Sequence, residues 1–75
     1  MGKLNVISGR KLVQIFEKFD WVEIRRNSSH IIMIKKGEII TLSIPDHIKI
    51  AKGTLRSLIR SAGLTIEEYN EALKK

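Results

Sequence analysis

Few side chains in this sequence can move a proton near neutral pH. Its two histidines, His30 and His47, have an ordinary pKa of about 6.5 and can act as acid or base there. They are far apart in the chain, with no His-x-x-x-His pair, no carboxylate-rich metal spacing and no Gly-rich phosphate loop. Metal catalysis and nucleotide hydrolysis are therefore not expected, and neither a metal nor a cofactor is implied. A serine nucleophile at Ser28 or Ser29 meets two objections: adjacent residues on a strand point to opposite faces, and no acid is in place to orient His30. What remains is histidine beside phosphate-binding cations. In RNA a 2′-hydroxyl lies next to the scissile phosphate, so a base that takes its proton and a cation that stabilises the charged phosphorane suffice for cleavage without metal. Arg25, Arg26, Lys49, Lys52, Arg56 and Arg60 could supply the charge. Lys52, Arg56 and Arg60 recur at i, i+4 and i+8, a stripe flanking the apolar face of a helix that begins near Lys52. The plainer alternative is that this stripe is a solvated helix face and that His30 is a polar residue at a strand edge.

Composition narrows the partners. Fourteen Lys and Arg against eight Asp and Glu leave a net charge of +6, which favours encounter with polyanions, nucleic acid first among them. A basic balance can also serve only to keep a small protein in solution. Seventy-five residues leave room for one domain, 1–75, near the lower size limit for a core without metal or disulfide support. The absence of cysteine is compatible with a reducing cytoplasm. The longest apolar run, Ile31 to Ile34, is far short of the roughly 20 residues needed to cross a bilayer, so no membrane association is expected. Met1-Gly2 does not read as a myristoylation signal, because position 6 is Val where Ser or Thr is required.

The elements that must position these residues follow from periodicity. Leu12, Ile15, Phe16 and Phe19 mark one face of a helix over 9–20 with Ser8 as N-cap. Val22 and Ile24 alternate with Glu23 and Arg25 as in a half-buried strand, and Asn27-Ser28-Ser29 supplies a turn. A second strand runs from His30 to Lys35 and turns at Lys36-Gly37. In a third, Ile40, Leu42 and Ile44 form the core face before Pro45 ends ladder pairing. The second strand is apolar on both faces. The unused one is either a partner surface or ordinary central-strand character. Leu55, Leu58, Ile59 and Ala62 define another helix, with Thr54 as a cap, Leu55 in the core and Gly63 at C′. Thr65-Ile66-Glu67-Glu68 is a capping box for a short last helix, with Leu64 stapled to Tyr69, that turns Ile66, Tyr69 and Leu73 inward. The order α-β-β-β-α-α implies an α+β fold of two layers, a three-stranded antiparallel sheet with helices on one face.

Residues 44 to 69, IPDHIKIAKGTLRSLIRSAGLTIEEY, resemble the HicA toxin family in the Pro-x-His step, the Lys-Gly-Thr-Leu-Arg run and the Ala-Gly-Leu helix end. Upstream, SGRKLVQIFEKFDWVEIRRNSSH is similar to the family's opening helix and first strand, and Ser28-Ser29-His30 stands where the family has Gly-Ser-His. The resemblance covers residues 8 to about 69. It implies a fold like that of double-stranded RNA-binding domains and a metal-independent mRNA interferase with His30 as the catalytic residue. It further implies a HicB-like antitoxin that binds the toxin and blocks the site, and a cytoplasmic setting.

On this resemblance Ser29 belongs to the RNA-binding signature, Lys49 and Lys52 hold the RNA backbone, and His47 takes a supporting part. His47 would serve as a general acid, a phosphate contact or a cap on the next helix, the last slightly preferred. Ser28 departs from the family Gly. If that Gly serves a positive-φ turn or close RNA approach, serine costs something there, and Asn27, which tolerates αL, could take over the turn. Two functions stay open: an endoribonuclease toxin, and a non-catalytic RNA-binding or antitoxin-docking module. A generic double-stranded RNA binder ranks third, because the entry to its helix would lack the usual lysines.

Overall fold

The computed structural model describes residues 3–75. Met1 and Gly2, and with them the start of the acylation motif considered above, lie outside the described residues. The elements are α1 (Gly9–Glu17), β1 (Val22–Arg26), β2 (His30–Ile34), β3 (Leu42–Pro45), α2 (Lys52–Ser61) and α3 (Ile66–Lys74), in the expected order α-β-β-β-α-α. The strands form one antiparallel sheet in the order β1-β2-β3. Leu12, Ile15 and Phe16 of α1, Leu55, Leu58 and Ile59 of α2 and Tyr69 of α3 join Ile31, Met33, Leu42 and Ile44 in one buried cluster. The helices therefore cover one face of the sheet, as an α+β sandwich requires.

Local chemistry explains the element ends. Ser8 caps α1 by accepting the Lys11 N–H. The helix stops at Glu17, earlier than its apolar spacing suggests, because the chain turns left-handed at Asp20 (φ 74), a residue type that tolerates this conformation. Phe19 still packs on the core from that turn. At the end of α2 the Gly63 N–H donates to Arg60 O and the Leu64 N–H to Ile59 O, a Schellman closure with Gly63 at φ 80. The Thr65–Glu68 capping box then starts α3.

The strands depart from expectation in three places. Val22 and Ile24 lie 56% and 53% exposed, so their alternation marks a strand correctly but places its apolar residues on the open face. Trp21, 2% exposed, fills the core at this edge instead, and a bulge at Ile24 shifts the register between Glu23↔Met33 and Arg25↔Ile32. β3 begins at Leu42, not near residue 39; Ile39 stands free in the preceding connection. The pairing reaches Pro45, the last residue of β3, and does not stop before it. Pro45 lies opposite His30, and the next residue continues the ladder when Asp46 N–H donates to Ser29 O at 2.9 Å.

Candidate functional site

Strand parity decides where His30 points. Ile31 and Met33 enter the core, so His30 shares the uncovered face with Ile32 and Ile34 and is partly exposed. It is held there from the preceding turn. Asn27 Oδ1 accepts the backbone N–H of Ser29 at 2.9 Å and of His30 at 2.8 Å, while the Asn27 N–H donates to His30 O at 3.0 Å. The side chain of Asn27 thus replaces a backbone acceptor, as in an Asx turn. No described residue from 27 to 29 has positive φ, so neither the αL role considered for Asn27 nor strain at Ser28 is used. Ser29 Oγ lies 3.1 Å from His30 Nδ1. The parity objection to a Ser29–His30 contact fails because Ser29 is in the turn, outside β2.

This turn is tied to the segment after β3 and to the start of α1. Besides the Asp46–Ser29 bond, Gly9 N–H donates to His47 O at 2.9 Å, and Arg10 Nε lies 3.3 Å from Asp46 Oδ1. A Cβ on Gly9 would fall 2.0 Å from the Pro45 carbonyl oxygen, so only glycine lets α1 approach this closely. His47 lines an open depression with Ser8, Arg10, Asp46 and Ile48. It does not cap α2. That helix starts at Lys52 after Ala51, which offers no side-chain bond, and Thr54 lies inside the first turn, where it caps nothing.

The expected cations divide into groups. Arg25 sits opposite Ile32, on the face of His30 and diagonal to it across the ladder, and forms no ion pair among the described residues. Arg26 is engaged by Glu23 through two 3.0 Å hydrogen bonds, which holds the Glu23 carboxyl below its ordinary pKa and raises that of the guanidinium. Lys49 and Lys52 are exposed before and at the start of α2. Arg56 lines a separate depression with Arg60, Leu64, Thr65 and Ile66. The structure thus brings Ser29, His30 and Arg25 to one strip of the open face, His47 to the adjoining α1 corner, and Arg56 to neither.

Two contributors escaped sequence reading. Gly9 and the Arg10–Asp46 pair matter through contacts between segments far apart in the chain. Asn27 was legible as a turn residue, since an Asn two residues before a polar turn residue is Asx-turn chemistry, though its two backbone donors were not. For Gly9, adjacent to an N-cap serine, no local signal distinguishes a packing constraint from ordinary helix-start glycine.

Comparison with known families matches residues 9–64 to a family described as the HicA toxin of bacterial toxin-antitoxin systems. No curated protein and no solved structure matches the chain.

Proposed function

The chain belongs to the HicA toxin family, the toxin component of bacterial toxin-antitoxin pairs, and from that premise we propose that it is a metal-independent endoribonuclease that cleaves mRNA at His30. In this reading His30 Nε2 takes the proton of the 2′-hydroxyl, and the 2′-oxygen attacks the adjacent phosphorus. The bond to the 5′-oxygen then breaks, leaving a 2′,3′-cyclic phosphate and a 5′-hydroxyl whose proton comes from water. Arg25, on the same face, stabilises the phosphorane charge. His47, Lys49 and Lys52 hold the backbone on either side, a contact that weakens with salt. Arg56 joins them only where RNA runs across α2, and Arg26 only by giving up Glu23. The reading is cytoplasmic, where mRNA is met.

The observation that carries it is the orientation of His30. A histidine kept for packing would share the buried side with Ile31 and Met33; this one opens to solvent at the fixed end of a strand, diagonal across the ladder from Arg25, which forms no ion pair among the described residues. A HicB-like antitoxin would cover this same face, where Val22, Ile24 and Ile34 remain exposed. Wild type and His30→Ala, compared on a single-stranded RNA and by growth on expression, test the proposal. A loss of about 100-fold or more in cleavage is expected; equal cleavage or equal growth arrest overturns it.

The exposed apolar strip and Ser28 in place of the family glycine favour a second reading, a non-catalytic RNA-binding or antitoxin-docking module. It requires salt-sensitive RNA binding that His30→Ala leaves unchanged, with no shortening of the RNA.

A further inference from the structure

We propose that Ser29 and Asn27 are positioning residues that set the tautomer and direction of the His30 ring, leaving Nε2 bare to act as base. The inference rests on the ribonuclease reading for its purpose, and on hydrogen-bond direction for its substance. Asn27 Oδ1 accepts two backbone N–H groups, from Ser29 and His30, at 2.9 and 2.8 Å. A backbone N–H can only donate, so the atom facing them is the carbonyl oxygen and not the amide nitrogen. Ser29 Oγ lies 3.4 Å from that oxygen, which has no proton to give, so in the hydrogen bond between them the hydroxyl is the donor. With its one proton directed to Asn27, Ser29 Oγ is left as an acceptor toward the ring nitrogen 3.1 Å away, His30 Nδ1. Nδ1 therefore carries the proton, and in the neutral imidazole Nε2 then holds a free lone pair.

The chain His30 Nδ1–H to Ser29 Oγ–H to Asn27 Oδ1 does for this histidine what a carboxylate does for the histidine of a serine hydrolase, without burying a charge. Its anchor is rigid: the two backbone donors that fix Asn27 belong to the residues being oriented, and Asp46 N–H pins the Ser29 carbonyl. No acid is needed, which answers why none stands near His30 in the sequence. Asn27 and Ser29 are exposed, so replacing either removes the relay without opening the core.

The test reads the ring nitrogens directly. Nitrogen-15 NMR of the neutral imidazole in the full chain should show His30 Nδ1 protonated in the wild type, a shift toward the Nε2-protonated form in Ser29→Ala, and retention of the wild-type form in Ser29→Thr. On a single-stranded RNA oligonucleotide, Ser29→Ala should lower kcat about 10- to 100-fold, the range for removing a partner that orients a metal-bound histidine, with KM little changed and Ser29→Thr restoring most of the rate. A wild-type tautomer in Ser29→Ala overturns the proposal whatever the rate, and so does a shifted tautomer with unchanged kcat. The spectra need no substrate. If His30→Ala cleaves like the wild type, the ribonuclease reading falls, while the tautomer comparison still decides independently whether Ser29 sets the ring.

Discussion

The two faces of β2 carry nearly the same chemistry and have opposite fates. Ile31 and Met33 are wholly buried beneath the helices; Ile32 and Ile34, one residue out of phase, lie on the side no helix covers, with Ile34 40% exposed and His30 at their head. Both pairs satisfy the same strand preference, so apolar content alone cannot assign a face. The assignment comes from connections. α1 enters at Gly9 against Pro45, α2 leaves from the same end of β3, and three short helices suffice for one side only. One face builds the fold, while the other presents a histidine, an arginine and an aliphatic strip to whatever the protein meets.

The largest expected effect comes from cutting equivalent side chains on the two faces. Ile31→Ala should cost about 2–5 kcal/mol, the range for a buried aliphatic truncation, while Ile32→Ala should cost about 1 kcal/mol or less. Urea unfolding of both variants measures the difference. Comparable losses would mean that something other than the helices organises the sheet.

Much of the covered face was legible in the sequence, and for a physical reason. Helix spacing at Leu12, Ile15 and Phe16, the Thr65–Glu68 capping box and the Gly63 terminus are local interactions within one turn or two, and each is found as expected. Val22 and Ile24 were legible as strand but not as outward-facing. Their side depends on a bulge and on Trp21 reaching the core first, both set by packing between distant segments. At the site, the resemblance singled out His30, yet with apolar residues on both faces of β2 the sequence could not say which parity faces the core. The Asp46–Ser29 and Gly9–His47 bonds, which join residues far apart in the chain, are what build its surroundings. Arg26 is the opposite case: a cation that reads as a phosphate binder and is held by a neighbour three residues away.

A smaller loss is expected at the seam between the faces. Gly9→Ala places a methyl group where the Pro45 carbonyl oxygen stands, and because that atom is backbone, the start of α1 or the 45–47 segment must move. Overpacking of this kind costs about 1–3 kcal/mol. The covered core should survive, while the amide NMR signals of Ser29, Asp46 and His47 shift together, since hydrogen bonds link these segments to the seam. A variant with wild-type stability and unshifted Ser29 would show that the α1 contact does not support the site.

The smallest effects separate the faces by pH. On the helix side, Tyr69 is fully buried, its hydroxyl donates to Asn5 O, and desolvation pushes its pKa up to about 12. Below the ordinary value of 10 the phenol is protonated in both states and its contribution is complete. As pH climbs from there toward about 12, the unfolded chain releases the proton while the folded chain retains it, so stability falls. Tyr69→Phe should lose about 1 kcal/mol at neutral pH with the hydrogen bond, but should flatten this alkaline decline. The chain has a single tyrosine, so its ultraviolet absorbance reports the same titration. On the β1 edge, Glu23 has the reverse sign: Arg26 lowers its pKa, so its contribution is present above the ordinary carboxylate value and disappears as pH drops through the lowered one. Both partners meet solvent, where counter-ions and side-chain entropy erode an ion pair. Glu23→Gln should therefore alter acid unfolding less than Tyr69→Phe alters alkaline unfolding, and added salt should erase even that. A larger acid effect would place structural weight on the β1 edge, and the division between a face that holds the fold and one left open to solvent would have to be redrawn there.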